Sequence, residues 1–175
     1  TGKPIGHYHN SKSKTLGAED KNANWSAINK KLFANDAWPV IEALDVPDDA
    51  YDDGAIAAHA VKSLAKLAKK KKPFFLAVGF KKPHLPFVAP KRYWDRFDPK
   101  SIQLAPYQEA PLGAPKYAQH NSSELRSYNG IPASGPLDLS TQRTLIHGYY
   151  ACVAYIDTQI GKILDQLEQS GLAEN

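Results

Sequence analysis

The sequence has a single cysteine, little excess charge and no long apolar run. Because Cys152 is the single cysteine of the sequence, an internal disulfide framework and a zinc site built from several cysteines are excluded. No stretch approaches the roughly 20 apolar residues of a membrane span, and residues 1–10 lack the layout of a signal peptide. The net charge of +4 favours anionic partners only weakly and predicts no nucleic-acid partner.

The composition of the sequence predicts one globular domain, and the spacing of its apolar residues predicts helices. The 175 residues are 42% hydrophobic and 23% charged, as in ordinary folded proteins. An acidic, turn-rich segment at residues 45–53 precedes a helical spacing of apolar residues at Ile56, Ala60, Leu64 and Leu67. Acidic residues before the helix and lysines at its end complement the helix dipole, and Pro73 ends it.

An apolar run at residues 74–80 follows this helix and predicts a strand. The run does not alternate, which is typical of a strand buried on both faces of a parallel sheet. A helix that leads into such a strand is half of a βαβ unit, so we predict the α/β class.

The remainder predicts a long irregular region and a long helix. Most prolines lie between residues 81 and 139, where we predict a short helix at residues 91–97 and a proline-rich loop. Ser140 predicts the N-cap of a helix that runs to about Ser170, with Gly171 beyond its end. One buried strand with little to flank it indicates a piece of a larger α/β protein.

The residues that follow the predicted strand are the first candidates for chemistry. His84 and Lys82 would emerge at the carboxyl end of the strand, where ligand sites of α/β sheets lie. Pro83 and Pro86 would restrict the backbone around His84. A lysine and a histidine can donate hydrogen bonds to an anionic oxygen, although a surface lysine pair and a histidine that caps a strand are the alternative.

A second set of the same donor types lies near the start of the sequence. Lys3, His7 and His9 occupy a glycine-containing segment and could contact an anion, or the two histidines a metal. The alternative interpretation is a flexible terminus. Cys152 is predicted to pack as a small apolar residue, and the acidic segment at 45–53 is interpreted as helix capping because it lacks the spacing of a calcium loop.

Residues 72–87 (KPFFLAVGFKKPHLPF) resemble the type I sulfatases, and most of all their iduronate-2-sulfatase-like branch. Three further pieces agree in order, namely residues 51–54, 90–94 and 149–161. The resemblance implies an alkaline-phosphatase-like α/β fold and hydrolysis of sulfate esters, with a sulfated carbohydrate as partner. It also implies a formylglycine nucleophile, made from the cysteine of a Cys-x-Pro/Ala-x-Arg motif, and a calcium ion that polarises the sulfate.

The resemblance assigns roles to individual positions. His84 matches the histidine of the Lys-Pro-His motif, which contacts the sulfate or the leaving oxygen. Lys3 matches the sulfate-contacting lysine of a Gly-Lys motif, with His7 as its partner and His9 as the rival for that role. Lys82 is given a supporting part in substrate binding.

Two family motifs are missing from the sequence. Cys152 is followed by Val153, Ala154 and Tyr155, so it belongs to no Cys-x-Pro/Ala-x-Arg motif, and no Asp-His-Gly metal motif occurs. We therefore expect residues 1–175 to be a central fragment of a sulfatase catalytic domain that is inactive alone. The resemblance implies a calcium ion in the full-length enzyme, and we expect none of residues 1–175 to bind it.

Three other functions stay open at this point. A phosphatase or phosphonate hydrolase of the same superfamily would differ in the missing nucleophile motif. A non-catalytic binding module could use the basic residues 69–72 and 81–82 for an anionic polysaccharide or nucleic acid. The chain could also be a structural remnant without a site. The resemblance suggests a periplasmic, secreted or lysosomal protein, and the sequence itself predicts no compartment.

Overall fold

The computed structural model describes residues 39–70 and 72–174. Its strands are β1 (Ile41–Glu42) and β2 (Phe87–Val88), and its α-helices are α1 (Asp52–Ala68), α2 (Lys91–Trp94) and α3 (Leu139–Gln169). Short 3-10 helices occupy Asp48–Ala50, Pro99–Ser101, Lys116–Ala118 and Leu125–Ser127. None of the helices in this part of the chain is long and apolar enough to span a membrane.

The two strands form a small parallel sheet. Ile41 pairs with Phe87 and Glu42 with Val88. The Phe87 N–H donates to the Val40 carbonyl at 2.8 Å, which fixes the chain where it enters β2. Parallel strands joined through a helix agree with the predicted α/β class.

The strand predicted at residues 74–80 is wrong for the described part of the chain. These residues form no strand ladder there, and Phe75 is 92% exposed. A strand needs a neighbour for its backbone N–H and C=O groups, and β1 pairs with β2 instead. The apolar run therefore stays at the surface of the described structure, and His84 precedes β2 rather than following a long central strand.

The helix after the acidic segment is confirmed. Ala57, Ala60 and Leu64 of α1 are buried, and Lys62 and Lys66 on its other faces are exposed. The 3.6-residue period of its apolar positions accounts for this one-sided burial. The predicted short helix is confirmed over a shorter length, since α2 ends at Trp94 and a turn follows.

The long helix is confirmed in extent, but its predicted N-cap is wrong. The carboxylate of Asp138, rather than Ser140, accepts a hydrogen bond from the Thr141 N–H at 2.8 Å. An aspartate suits this position because it satisfies a free amide and its charge complements the helix dipole. Gly171 has a φ of +67°, and its N–H donates to the Glu168 carbonyl, which closes the helix as predicted.

The core lies where α3 packs against α1, α2 and β2. Its buried members are mostly aromatic or small apolar side chains: Tyr51, Val88, Ala89, Tyr93, Trp94, Ala151, Cys152 and Tyr155. Because tyrosines supply so much of this core, their hydroxyl groups need partners inside it.

The hydroxyl of Tyr155 joins α3 to the start of α1. It accepts a hydrogen bond from the Gly54 N–H at 2.6 Å and donates one to the Asp48 carbonyl oxygen at 2.8 Å. Tyr155 is completely buried, and its hydroxyl satisfies one of the free amides at the helix N-terminus. A Cβ atom at Gly54 would lie 2.0 Å from that carbonyl oxygen, so only glycine fits this close approach.

We predict that Gly54→Ala lowers the free energy of unfolding by about 3 kcal/mol, because the added methyl group displaces the Asp48 backbone. Gly161→Ala on α3 is the matched control, since its Cβ would meet no atom within 4 Å. That change should raise stability by about 0.5–1 kcal/mol through helix propensity. Urea unfolding of both variants measures the effects, and equal changes in the two would contradict the close contact.

The carboxylate of Asp48 links the same junction to α2 and α3. It forms ion pairs with Arg92 and Lys162 and accepts a hydrogen bond from the Tyr93 hydroxyl at 2.8 Å. Burial alone would raise the pKa of Asp48, but hydrogen bonds, first of all from Lys162, outweigh burial and lower the pKa.

The lowered pKa of Asp48 predicts a specific sensitivity to acid. The unfolded chain binds the proton first, so this contribution is complete above the unfolded pKa of about 4 and is lost as the pH falls through the folded pKa. Asp48→Asn should lower the free energy of unfolding at pH 7 by about 1–3 kcal/mol and reduce its loss between pH 6 and pH 3. Asp45→Asn, at an exposed position of the same segment, is the control, and parallel pH curves for wild type and Asp48→Asn would refute this account.

Candidate functional site

The turn that carries His84 is fastened to the first turn of α1. The buried carboxylate of Asp53 accepts two backbone hydrogen bonds, from the N–H of Lys81 and from the N–H of Lys82, each at 2.9 Å. A carboxylate at a helix N-terminus is also favoured by the helix dipole. Asp53 therefore fixes where the chain enters the turn.

The side chain of Lys82 fastens the same turn from inside. Lys82 is 7% exposed, and its Nζ donates to the carbonyl oxygens of His84 at 2.9 Å and Pro86 at 2.6 Å. Burial lowers the pKa of Lys82, an effect that the charge of Asp53 only partly offsets. The turn also contains cis peptide bonds before Pro83 and Pro86.

His84 itself reaches outward from this fastened turn. Its side chain is 66% exposed, and its Nδ1 lies 2.7 Å from the Leu85 carbonyl oxygen. A carbonyl oxygen only accepts, so Nδ1 carries the proton of this hydrogen bond and Nε2 is left for another partner. The Glu124 carboxylate lies 3.6 Å from Nδ1, so the acidic neighbour is on the side away from Nε2.

Lys81 differs from its neighbour Lys82 in burial and in partner. Its side chain is half exposed, and its Nζ forms an ion pair with Asp52 at 2.9 Å. The structure thus separates the two adjacent lysines, one inside the turn and one at its surface.

The acidic segment does not form a calcium centre in the described structure. The carboxylate of Asp48 is held by cations and a hydroxyl group, that of Asp52 by Lys81, and that of Asp53 by two backbone amides. Calcium needs six to eight oxygen ligands around one point, and no three His, Cys, Asp or Glu side chains meet in that way within residues 39–70 and 72–174.

Three of the predicted site residues stand near the start of the sequence. Lys3, His7 and His9 lie outside the described residues, so their place beside His84 stays a prediction. The sequence did not reveal that Asp53, interpreted as a helix-capping residue, binds the backbone of the turn. It also did not reveal that Glu124 lies beside His84. No local pattern could have indicated Asp53, because its partners are 28 and 29 residues away in the chain.

Cys152 is confirmed as a core residue. It is completely buried, and its Sγ lies 3.8 Å from the Val88 carbonyl oxygen. Burial raises the pKa of the Cys152 thiol to about 12, even though the nearby charge of Lys82 acts in the opposite direction. A thiol in this state is a poor nucleophile at neutral pH.

We predict that Cys152 does not react with a thiol reagent such as 5,5′-dithiobis(2-nitrobenzoate) in the folded protein at pH 7–8, because it is buried and protonated. One equivalent should react after unfolding in guanidinium chloride. Absorbance at 412 nm measures the release of thionitrobenzoate, with Cys152→Ala as the blank. Rapid stoichiometric labelling of the folded protein would contradict the assignment.

Comparisons with known proteins identify the family. The family model described as Sulfatase matches residues 5–175. Iduronate 2-sulfatase of Homo sapiens is 36% identical over 151 residues, which is 83% of this chain and 27% of the human protein. From Formosa agariphila, a protein named sulfatase is 34% identical over 60% of this chain, and an ulvan-active sulfatase 31% identical over 71%.

The chain spans only a part of these relatives, 27% of the human protein and 20% of each of the two bacterial ones. The family model nevertheless covers almost all of the sequence, including the turn that carries His84. The resemblance found in residues 72–87 is confirmed, and the chain belongs to the sulfatase family.

Proposed function

We propose that the full-length protein that carries this chain is a sulfuric ester hydrolase, a sulfatase, that acts on a sulfated carbohydrate, and that His84 contacts the sulfate or the leaving oxygen. The bond cleaved joins sulfur to the ester oxygen, and water supplies the new oxygen on sulfur. An imidazole can protonate the leaving oxygen or donate a hydrogen bond to a sulfate oxygen there, and because Nδ1–H is engaged by the Leu85 carbonyl, both tasks require the imidazolium form, with a second proton on Nε2.

The observation that carries the proposal is the way His84 is held. Its backbone carbonyl is fixed from inside by Lys82, its Nδ1 is engaged with the Leu85 carbonyl, and its Nε2 is left for another partner. An imidazole with one nitrogen engaged and the other available is suited to hydrogen bonding or proton transfer at a bound anion.

The class of substrate is supported by the relatives. Two of them are named for iduronate and for ulvan, and both names specify carbohydrate chemistry. We extend the carbohydrate class, and no particular sugar, to this protein. In this proposal the proline-rich loop between Pro99 and Pro136 borders the approach to His84, since Glu124 of that loop lies 3.6 Å from the imidazole.

In this proposal the chain supplies part of an alkaline-phosphatase-like catalytic domain. Lys3, His7 and His9 are the further candidates to neutralise the sulfate, with Lys3 and His7 acting as a pair. The sequence has no Cys-x-Pro/Ala-x-Arg motif, and the carboxylates of the acidic segment do not fit a calcium centre, so we assign neither nucleophile nor metal to these residues. The human relative is about three times as long as the chain, and its length leaves room for both elsewhere in the protein.

The binding-module alternative loses support at the turn. Lys82 is buried and holds backbone carbonyls, and the half-exposed ammonium group of Lys81 is paired with Asp52, so these two lysines offer a polyanion no unpaired cation. The phosphatase alternative differs from the proposal in the ester that is cleaved.

We predict that His84→Gln in the full-length protein lowers kcat/KM for sulfate-ester hydrolysis by about 10²- to 10⁴-fold, because glutamine keeps polarity but cannot transfer a proton. Release of inorganic sulfate from a chromogenic aryl sulfate and from sulfated disaccharides measures the activity. The 175-residue chain alone should release no sulfate.

The control for this prediction is His59→Gln, which changes an exposed histidine on α1 and should leave kcat/KM unchanged. Wild-type activity in His84→Gln would exclude the proposed role of His84. Hydrolysis of the matching phosphate ester in preference to the sulfate ester would instead favour a phosphatase.

A further inference from the structure

We infer that Lys82 and Asp53 are positioning residues for His84, that is, that this buried pair of charges holds the imidazole in the orientation its reaction needs and does not contact the substrate. The inference rests on the proposed function, because it assigns a task to two residues that act through His84. It also replaces the supporting role in substrate binding expected for Lys82 from the sequence.

The contacts of Lys82 define its task. Its Nζ bridges the carbonyl oxygens of His84 and Pro86, the two residues on either side of Leu85. Leu85 is the residue whose own carbonyl oxygen engages Nδ1 of His84. The ammonium group therefore clamps the backbone segment that sets both the position of the imidazole and the direction of its ring.

Asp53 completes the clamp at the entrance of the turn. Its two carboxylate oxygens each accept one backbone N–H, and the His84 N–H donates to the Lys81 carbonyl at 3.0 Å. Asp53 thus binds the backbone N–H groups at the start of the turn, and Lys82 binds the backbone carbonyl groups at its end. The two side chains carry opposite charges and are 2% and 7% exposed, so each lowers the cost of burying the other.

The geometry also argues against direct contact between Lys82 and an anion at the surface, since the residue is 7% exposed. Its ammonium group has three N–H donors, and two are already used by carbonyl oxygens inside the protein. Lys81 offers the contrast, since its ammonium group is at the surface and its loss leaves both backbone clamps in place.

The test is a double-mutant cycle in the full-length enzyme. Lys82→Met keeps the buried stem and removes the donors, and we expect kcat to fall by up to about 100-fold with KM little changed, as for a misplaced catalytic group. In a His84→Gln background the same change should have almost no further effect, because the residue acts through the imidazole. Lys81→Met is the matched control and should keep wild-type kcat.

Further variants distinguish a positioning role of Lys82 from a loss of folding. Asp53→Asn, which turns one accepting oxygen into a donor, should reproduce the pattern of Lys82→Met, and Lys82→Arg should recover part of kcat. If Lys82→Met does not fold by circular dichroism, Lys82→Gln, which keeps an amide donor, takes its place in the cycle. Nitrogen-15 NMR of the imidazole should show one set of signals in the wild type and a shifted or broadened set in the folded variants.

The outcomes distinguish the two proposals. A Lys82 variant that folds and keeps wild-type kcat, or that loses the same factor again in the His84→Gln background, overturns the positioning role. A His84→Gln enzyme with wild-type kcat/KM overturns the proposed function itself, whatever Lys82 does.

Discussion

A buried hydroxyl group connects the long helix to the start of α1, to which the turn that carries His84 is fastened. Tyr155 accepts from the Gly54 amide and donates to the Asp48 carbonyl, so it fixes the first turn of α1 against α3. Asp53, in that same turn, then holds the amides of Lys81 and Lys82. The orientation of His84 therefore depends on a series of buried polar contacts that begins in the core.

Such a series is stable only when each member is satisfied. A buried donor or acceptor without a partner costs about 1–3 kcal/mol, whereas a complete bond adds only about 1 kcal/mol. The small net stabilisation is therefore a weak explanation for so many buried polar groups. The need for one defined geometry is a stronger explanation. Packing of the apolar core around Cys152 stabilises the fold, and the buried polar contacts orient the turn that carries His84 relative to that core.

The sequence predicted what depends on local periodicity. The spacing of Ala60 and Leu64 located α1, and the stripe before Gly171 located the end of α3. It failed at residues 74–80, because a strand exists only through its neighbours and periodicity does not reveal them. It also failed for Asp53 and Lys82, since contacts that join α1 to a turn about 29 residues later leave no trace in local composition.

The two adjacent lysines show why charge runs are a poor guide to function. Successive side chains of a non-helical backbone point in different directions, so one of two neighbouring lysines can enter the protein while the other reaches solvent. Here Lys82 turns inward to carbonyl oxygens, and Lys81 turns outward to Asp52. A count of basic residues assigns both to an anion-binding surface, and the structure assigns neither. Of the two exposed polar side chains at this turn, Lys81 is paired with Asp52, whereas Nε2 of His84 is left for a further partner, so our proposal rests on His84 rather than on the net charge of the turn.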